Sequence, residues 1–164
     1  MAINERLLRW LERERADVSV VPHEEVSSAR EGAATSRVPA RRLAKVVVLR
    51  DEAGSHLMVV VPASEHVDLR AVHRATGRRG LRLVDEDDMR RLFPDCEAGA
   101  MPPFGHLYGV PMFVDDCFAH EPEICFQAGN HHEIVRMSYA DFARLAKPFT
   151  GGLELHHEPS RAGG

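Results

Sequence analysis

The sequence predicts an α+β fold with a mixed, curved β-sheet flanked by helices. Two apolar segments, 45–50 and 56–61, are separated by the turn Asp51–Gly54 and have the pattern of a β-hairpin. Both are apolar at nearly every position, which is typical of strands covered on both faces. Helical segments lie among the strand candidates without a regular βαβ alternation, which favours a mixed sheet over a purely parallel one.

The N-terminal part of the chain begins with an amphipathic helix. Over residues 3–15, apolar side chains recur on one helical stripe and arginines cover much of the remaining surface. Ser28–Glu31 has the spacing of a capping box, and Pro39 suits the first turn of a helix. The other elements predicted here are a strand over 18–21, a helix from Ser28 to about Thr35, and a helical turn from Pro39 to Leu43.

Capping residues define the helices predicted further along the chain. Asp68 begins a helix that Gly77 closes, Asp85 begins one that Pro94 ends, and Ser138 caps the last helix. Strands are predicted over 81–84, 112–115, 124–127 and 133–137. Residues 1–150 are expected to form a single domain. Residues 151–164 are rich in Gly, His and Glu, and we expect them to form a mobile tail.

Composition narrows the class of protein. The net charge of −4 excludes a strongly basic nucleic-acid binder, so a DNA partner is not expected. No apolar run approaches a membrane span, and the first residues lack the apolar core of a secretory signal, so we expect a cytoplasmic protein without a membrane partner. The three cysteines include no C-x-x-C pair, which argues against a disulfide framework and a cysteine-built zinc site.

Two features could carry chemistry, and each also has a structural explanation. Lys45 shares a strand face with apolar residues, so its side chain either extends to the rim or works in a pocket. The loop Gly99–Gly105 combines glycine and proline, so its remaining N–H groups could be held towards one point, as an oxyanion site requires. The alternative for this loop is an ordinary rigid turn before a strand.

Other catalytic signatures are missing from the sequence. It contains no G-x-S-x-G, phosphate-binding loop or dinucleotide fingerprint. His131 and His132 would face opposite ways in a strand and H-E-x-x-H is absent, so we expect neither a metal nor a cofactor. Arginines cluster between 70 and 82, where a phosphate-contacting patch and an ordinary solvated surface are both open interpretations.

Three motifs occur in order between about Ser19 and Pro148. They are the strand Leu43–Leu49 containing Lys45, the G-x-x-x-P segment Gly99–Pro103, and Ala128–His131 followed by strand and helix patterns. Together they resemble the YbaK/EbsC family, also called the prolyl-tRNA synthetase-associated or editing-insertion domain. The resemblance implies a mixed α/β fold with a curved, barrel-like sheet. It also implies a freestanding deacylase that hydrolyses mischarged aminoacyl-tRNA without a metal or a covalent nucleophile.

The resemblance also implies roles for individual residues. Backbone N–H groups of Gly99, Ala100 and Met101 would stabilise the oxyanion, and Lys45 would hold the tRNA end or orient the ester. The expected substrate contacts are Pro103, Phe104, Gly129, Asn130 and His131, and the expected tRNA contacts are Arg74, Arg78 and Arg79. The substrate would carry a small amino acid such as alanine, because the His131 position resembles the alanine-clearing branch of the family.

Two other functions stay open at this stage. The chain could be a non-catalytic module that binds tRNA or an aminoacyl-tRNA synthetase, in which case phosphate contacts would make its affinity fall with salt. It could also be a small-molecule hydrolase or metal protein that uses His131, Glu133 and a cysteine. Hydrolysis of mischarged tRNA separates the deacylase from both.

Overall fold

An eight-stranded mixed sheet forms the centre of the computed structural model, which describes residues 4–22, 38–97, 99–153 and 156–157. The strands are β1 (Val18–Pro22), β2 (Leu43–Arg50), β3 (His56–Pro62), β4 (Glu65–His66), β5 (Arg82–Leu83), β6 (Met112–Asp115), β7 (Glu123–Gln127), β8 (Glu133–Ser138), β9 (Phe149–Gly151) and β10 (His156–His157). The order in the sheet is β1-β8-β7-β2-β3-β6-β9, with β5 also paired to β2, while β4 and β10 form a separate pair. The predicted mixed fold class is confirmed.

Four α-helices are present in the described part of the chain. They are α1 (Glu5–Arg13), α2 (Leu69–Thr76), α3 (Glu86–Leu92) and α4 (Tyr139–Ala146), and two 3-10 helices span Gly105–Tyr108 and Asp116–His120. The predicted N-caps Asp68, Asp85 and Ser138 each accept a hydrogen bond from a first-turn amide. No helix in the described ranges is both long and apolar enough to cross a membrane.

The predicted hairpin is confirmed and lies in the middle of the sheet. β2 and β3 pair antiparallel from Ala44–Pro62 to Arg50–His56, with Lys45 opposite Val61. β3 is joined on its other side by parallel β6, and β2 begins a parallel ladder with β7. Strands in this position are covered on both faces, which explains why the two segments are apolar at nearly every position.

The two faces of the sheet are packed differently. One face carries the main core, where the fully buried rings of Phe104, Phe118, Phe126 and Phe142 pack with α1 and α4. The other face, which we call the lysine face, carries two smaller apolar clusters. One contains Leu43, Cys125 and Ile134, and the other contains Leu49, Leu57, Val59, Val61, Val72 and Phe113. Strand alternation places Lys45 between these two clusters.

The structure differs from the predictions mainly at the C-terminus. The expectation of a mobile tail from Gly151 is wrong for 151–153 and 156–157, because β9 pairs with β6 and β10 with β4. Leu153 is fully buried, and its amide donates to the Asp115 carboxylate over 3.0 Å. The predicted turn after Pro39 is present as a hydrogen-bonded turn leading into β2. The helix predicted over 28–35 lies outside the described residues.

Candidate active site

Strands β2 and β7 separate next to Lys45. The parallel ladder between β2 and β7 covers Leu43–Cys125 and Ala44–Phe126, and β5 joins the same side of β2 only from Leu49. Positions 45–48 therefore lie between two ladders. Continuing the register places Lys45 beside Gln127, on the same face of the sheet. The half-buried Lys45 ammonium donates a hydrogen bond to the carbonyl of Glu65, the first residue of β4, which pairs with β10.

Asn130 shapes the loop between β7 and β8. Its side-chain oxygen accepts the amides of His132 and Glu133 over 2.8 and 3.0 Å, which closes an Asx-type turn. Asn130 is 1% exposed, so its main described role is to hold the loop rather than to present a polar group. Gly129 has φ +94°, and a Cβ there would lie 2.8 Å from the Cβ of Asn4 at the start of α1. Only glycine fits this close approach without a shift of the backbone.

The loop that contains Gly99 is fastened to the loop that contains Gly129. The Gly129 amide donates to the Ala100 carbonyl and the Glu97 amide donates to the Gly129 carbonyl, both over 2.8 Å. The Glu97 carboxylate accepts the His131 amide over 3.2 Å. Two of the three predicted motifs are therefore joined into one hydrogen-bonded unit. A Cβ at Gly99 would lie 3.7 Å from Cε1 of His131, so the imidazole is next to this glycine.

The hydrogen bonds narrow the set of amides that could stabilise an oxyanion. The Ala100 N–H donates to the Glu97 carbonyl over 3.0 Å, so the expectation that all three amides of 99–101 face the substrate has to be corrected. The amides of Gly99 and Met101 donate to no residue in the described part of the chain. Gly99 is exposed and has φ +80°, whereas Ala100 is fully buried.

Phe104, which was expected to contact substrate, packs in the main core. Its side chain is fully buried, and its ring lies 5.0–5.4 Å from the rings of Trp10, Phe126 and Phe142. Pro103 is buried beside it. Phe104 thus anchors the Gly99 loop to the main core.

The arginines predicted to bind tRNA lie at the other end of β2. Arg78 donates to the carboxylate of Asp51 over 2.9 Å, in the turn of the hairpin. Asp51 is six residues from Lys45 along the strand, a distance of about 20 Å. Arg74 and Arg79 are exposed in the same region. The structure therefore does not bring these arginines together with the Gly99 and Gly129 loops.

The cysteines are poor nucleophiles. Burial raises the pKa of Cys96 to about 12 and that of Cys125 to about 11, and it also raises the pKa of Cys117. Since the thiolate is the nucleophilic form, these thiols are almost entirely protonated near neutral pH. Among the described residues, no group of three or more His, Cys, Asp or Glu side chains is arranged to hold a metal ion.

Sequence reasoning missed three residues that assemble this site. Glu97 joins the two loops, and Gln127 contacts His131 from the end of β7. The Asn4 side chain caps α1 and donates a hydrogen bond to the Asp95 carbonyl over 2.8 Å. The Asn4 amide donates to the Ala128 carbonyl, next to Gly129. A signal existed for Gln127, because it is a polar residue at the end of the apolar strand 124–126. The other two depend on contacts between distant parts of the chain.

Comparisons with known proteins identify the family of this chain. The model of the aminoacyl-tRNA editing domain family matches residues 23–145. The multifunctional Ser/Thr-tRNA deacylase ProXp-y of Escherichia coli K12 is 28% identical over 152 residues, covering 88% of this chain and 89% of the relative.

Solved structures share the fold. A crystal structure described as a candidate trans-editing enzyme for prolyl-tRNA synthetase superposes with a TM-score of 0.77 at 22% identity, over 95% of this chain and 97% of the other. The hypothetical protein APE2540 gives a TM-score of 0.80 at 16% identity, over 90% and 98% of the two chains. With the family match over most of the sequence, these findings show that the chain belongs to the aminoacyl-tRNA editing domain family.

Proposed function

We propose that this protein is an aminoacyl-tRNA deacylase that acts in trans on mischarged tRNA. The main support for this proposal is that hydrogen bonds join the Gly99 loop to the Gly129 loop, beside the point where β2 and β7 separate. This unit presents main-chain N–H groups, an imidazole and a nearby lysine. It presents no activated side-chain nucleophile.

Hydrolysis of the ester needs little more than positioning and charge stabilisation. Water adds to the ester carbonyl carbon, and the carbonyl oxygen becomes an oxyanion that the amides of Gly99 and Met101 stabilise. The carbon–oxygen bond to the ribose then breaks, and the leaving ribose oxygen takes up a proton. The products are the free amino acid and uncharged tRNA. A ribose hydroxyl of the substrate or the positioned water handles the proton transfer, so no acyl-enzyme forms.

Lys45 supplies the positive charge for this reaction. Its side chain leaves the strand between two apolar clusters, and the Glu65 carbonyl fixes the direction of the ammonium. An ammonium in a partly desolvated position attracts phosphate or ribose oxygen more strongly than one in bulk water does. We therefore assign Lys45 to hold the terminal nucleotide of the tRNA. The exposed arginines Arg74 and Arg79 are left as candidates for more distant phosphate contacts.

The substrate carries a small amino acid. The E. coli relative is named as a Ser/Thr-tRNA deacylase, which makes serine and threonine the first candidates besides alanine. A donor in the pocket that pairs with a hydroxyl would favour serine and threonine over alanine, because leaving a buried polar group unpaired costs affinity. The resemblance to prolyl-tRNA synthetase-associated domains makes the proline tRNA the first tRNA to test.

The test is a panel of proline tRNA charged with serine, threonine, alanine or proline. We expect the purified protein to release at least one of the three small noncognate amino acids at least about a hundredfold faster than spontaneous hydrolysis, and to leave prolyl-tRNA intact. Binding of the same tRNAs is measured in parallel. Tight, salt-sensitive binding without hydrolysis of any charged tRNA would contradict the proposal and favour a binding module.

A further inference from the structure

Gln127 is a polar side chain in an apolar environment. It is the last residue of β7, it is 3% exposed, and it follows the fully buried residues 124–126. A buried amide costs free energy unless it is hydrogen-bonded, so its partner is informative. That partner is His131, four residues later, on the far side of the Asn130 turn.

The contact fixes the position of the imidazole proton. Nε2 of Gln127 lies 3.3 Å from Nδ1 of His131. In this orientation of the Gln127 amide, Nε2 faces the ring and can only donate, so Nδ1 is the acceptor and carries no proton. In the neutral ring the proton is then on Nε2, and His131 presents Nε2–H as a donor.

The ring is also held in place by its surroundings. The His131 amide is bound by the Glu97 carboxylate over 3.2 Å, and the residue is 8% exposed. Cε1, the ring atom between the two nitrogens, lies 3.7 Å from the Cβ position of Gly99. A fixed ring with a fixed tautomer therefore borders the amides proposed to stabilise the oxyanion.

We propose that Gln127 is a positioning residue that keeps His131 in the Nε2–H tautomer beside the Gly99 loop. The catalytic consequence rests on the proposed function, in which the Nε2–H donor orients the ester or its amino-acid side chain. The tautomer itself is independent of any substrate, so the tautomer and the proposed function can each be contradicted without the other.

The first test measures the tautomer by long-range proton–nitrogen correlation NMR on uniformly ¹⁵N-labelled protein, above the pH at which imidazoles are charged. His131→Asn assigns the signal, and His132→Asn is the matched control that leaves it in place. We expect an unprotonated Nδ1 and a protonated Nε2 in the unaltered protein. In Gln127→Glu the new carboxylate accepts a hydrogen bond, so we expect the proton on Nδ1 instead. In Gln127→Met, which has no donor, we expect a mixture of tautomers.

The second test is kinetic and uses whichever charged tRNA is hydrolysed. We expect Gln127→Met to lower kcat about tenfold with KM changed by less than about twofold, since the ring stays but its orientation is lost. A protonated Nδ1 in the unaltered protein, or an unchanged tautomer in both Gln127 variants, would overturn the inference. Absence of hydrolysis by the unaltered protein would instead overturn the proposed function and leave the NMR result to decide this inference.

Discussion

Replacing Lys45 with alanine is expected to lower kcat/KM for deacylation by at least about a hundredfold. Strand alternation places this side chain between the two apolar clusters of the lysine face. Alanine removes the charge that holds the tRNA end but keeps the strand intact. The measurement is single-turnover hydrolysis of the charged tRNA found in the panel, together with thermal unfolding to verify the fold.

Lys147 provides the matched control for this substitution, because the sequence contains no other lysine. It is exposed after the last turn of α4 and has φ +46°. Asparagine tolerates this left-handed conformation, so Lys147→Asn removes one positive charge with little strain. We expect Lys147→Asn to keep kcat/KM within about twofold of the unaltered protein. Equal activity of Lys45→Ala and Lys147→Asn would contradict the role assigned to Lys45.

Replacing Gly105 with alanine is expected to lower the free energy of unfolding by about 3 kcal/mol or more. A Cβ at Gly105 would lie 2.2 Å from the carbonyl oxygen of Val110 and 3.3 Å from the Cβ of Met112. The first of these is backbone, so the clash cannot be relieved by turning a side chain. The Val110 amide also donates to the Gly105 carbonyl, so the turn that enters β6 has to move. Urea denaturation followed by far-UV circular dichroism measures the loss.

Gly109→Ala is the control in the same turn. Gly109 has φ +68°, but among the described residues no atom other than those of its chain neighbours lies within 4 Å of the position its Cβ would take. We therefore expect Gly109→Ala to lower the free energy of unfolding by about 1 kcal/mol, because only the left-handed conformation is unfavourable for alanine. If the two alanine variants lost equal stability, the close packing of Gly105 against Val110 would be refuted.

The local parts of the fold could be predicted from the sequence because their causes are local. The hairpin of β2 and β3 follows from two apolar runs around a Gly-containing turn. The starts of α2, α3 and α4 follow from capping side chains. The short strands β4, β9 and β10 could not be predicted, since two or three residues carry no periodicity and their pairing depends on distant segments.

The motifs of the candidate site could be predicted from the sequence, but the contacts between their residues could not. Gly99 and His131 were both predicted from the sequence, and the structure places them side by side. Phe104 was expected to contact substrate but is fully buried, and a loop pattern does not show which of its side chains points into the core. Arg78 looked available for phosphate, but its ion pair with Asp51 joins residues 27 positions apart. Contacts of this kind arise only when the chain has folded.

We propose that main-chain N–H groups and a cation promote cleavage of the ester, without attack by a side chain. The most direct test is an acid quench during a single turnover of tRNA carrying a radiolabelled amino acid, followed by separation of protein, tRNA and free amino acid. We expect label to pass from tRNA to free amino acid, with none covalently bound to protein at any time. Label transiently bound to the protein, on a cysteine, Lys45 or His131, would contradict it.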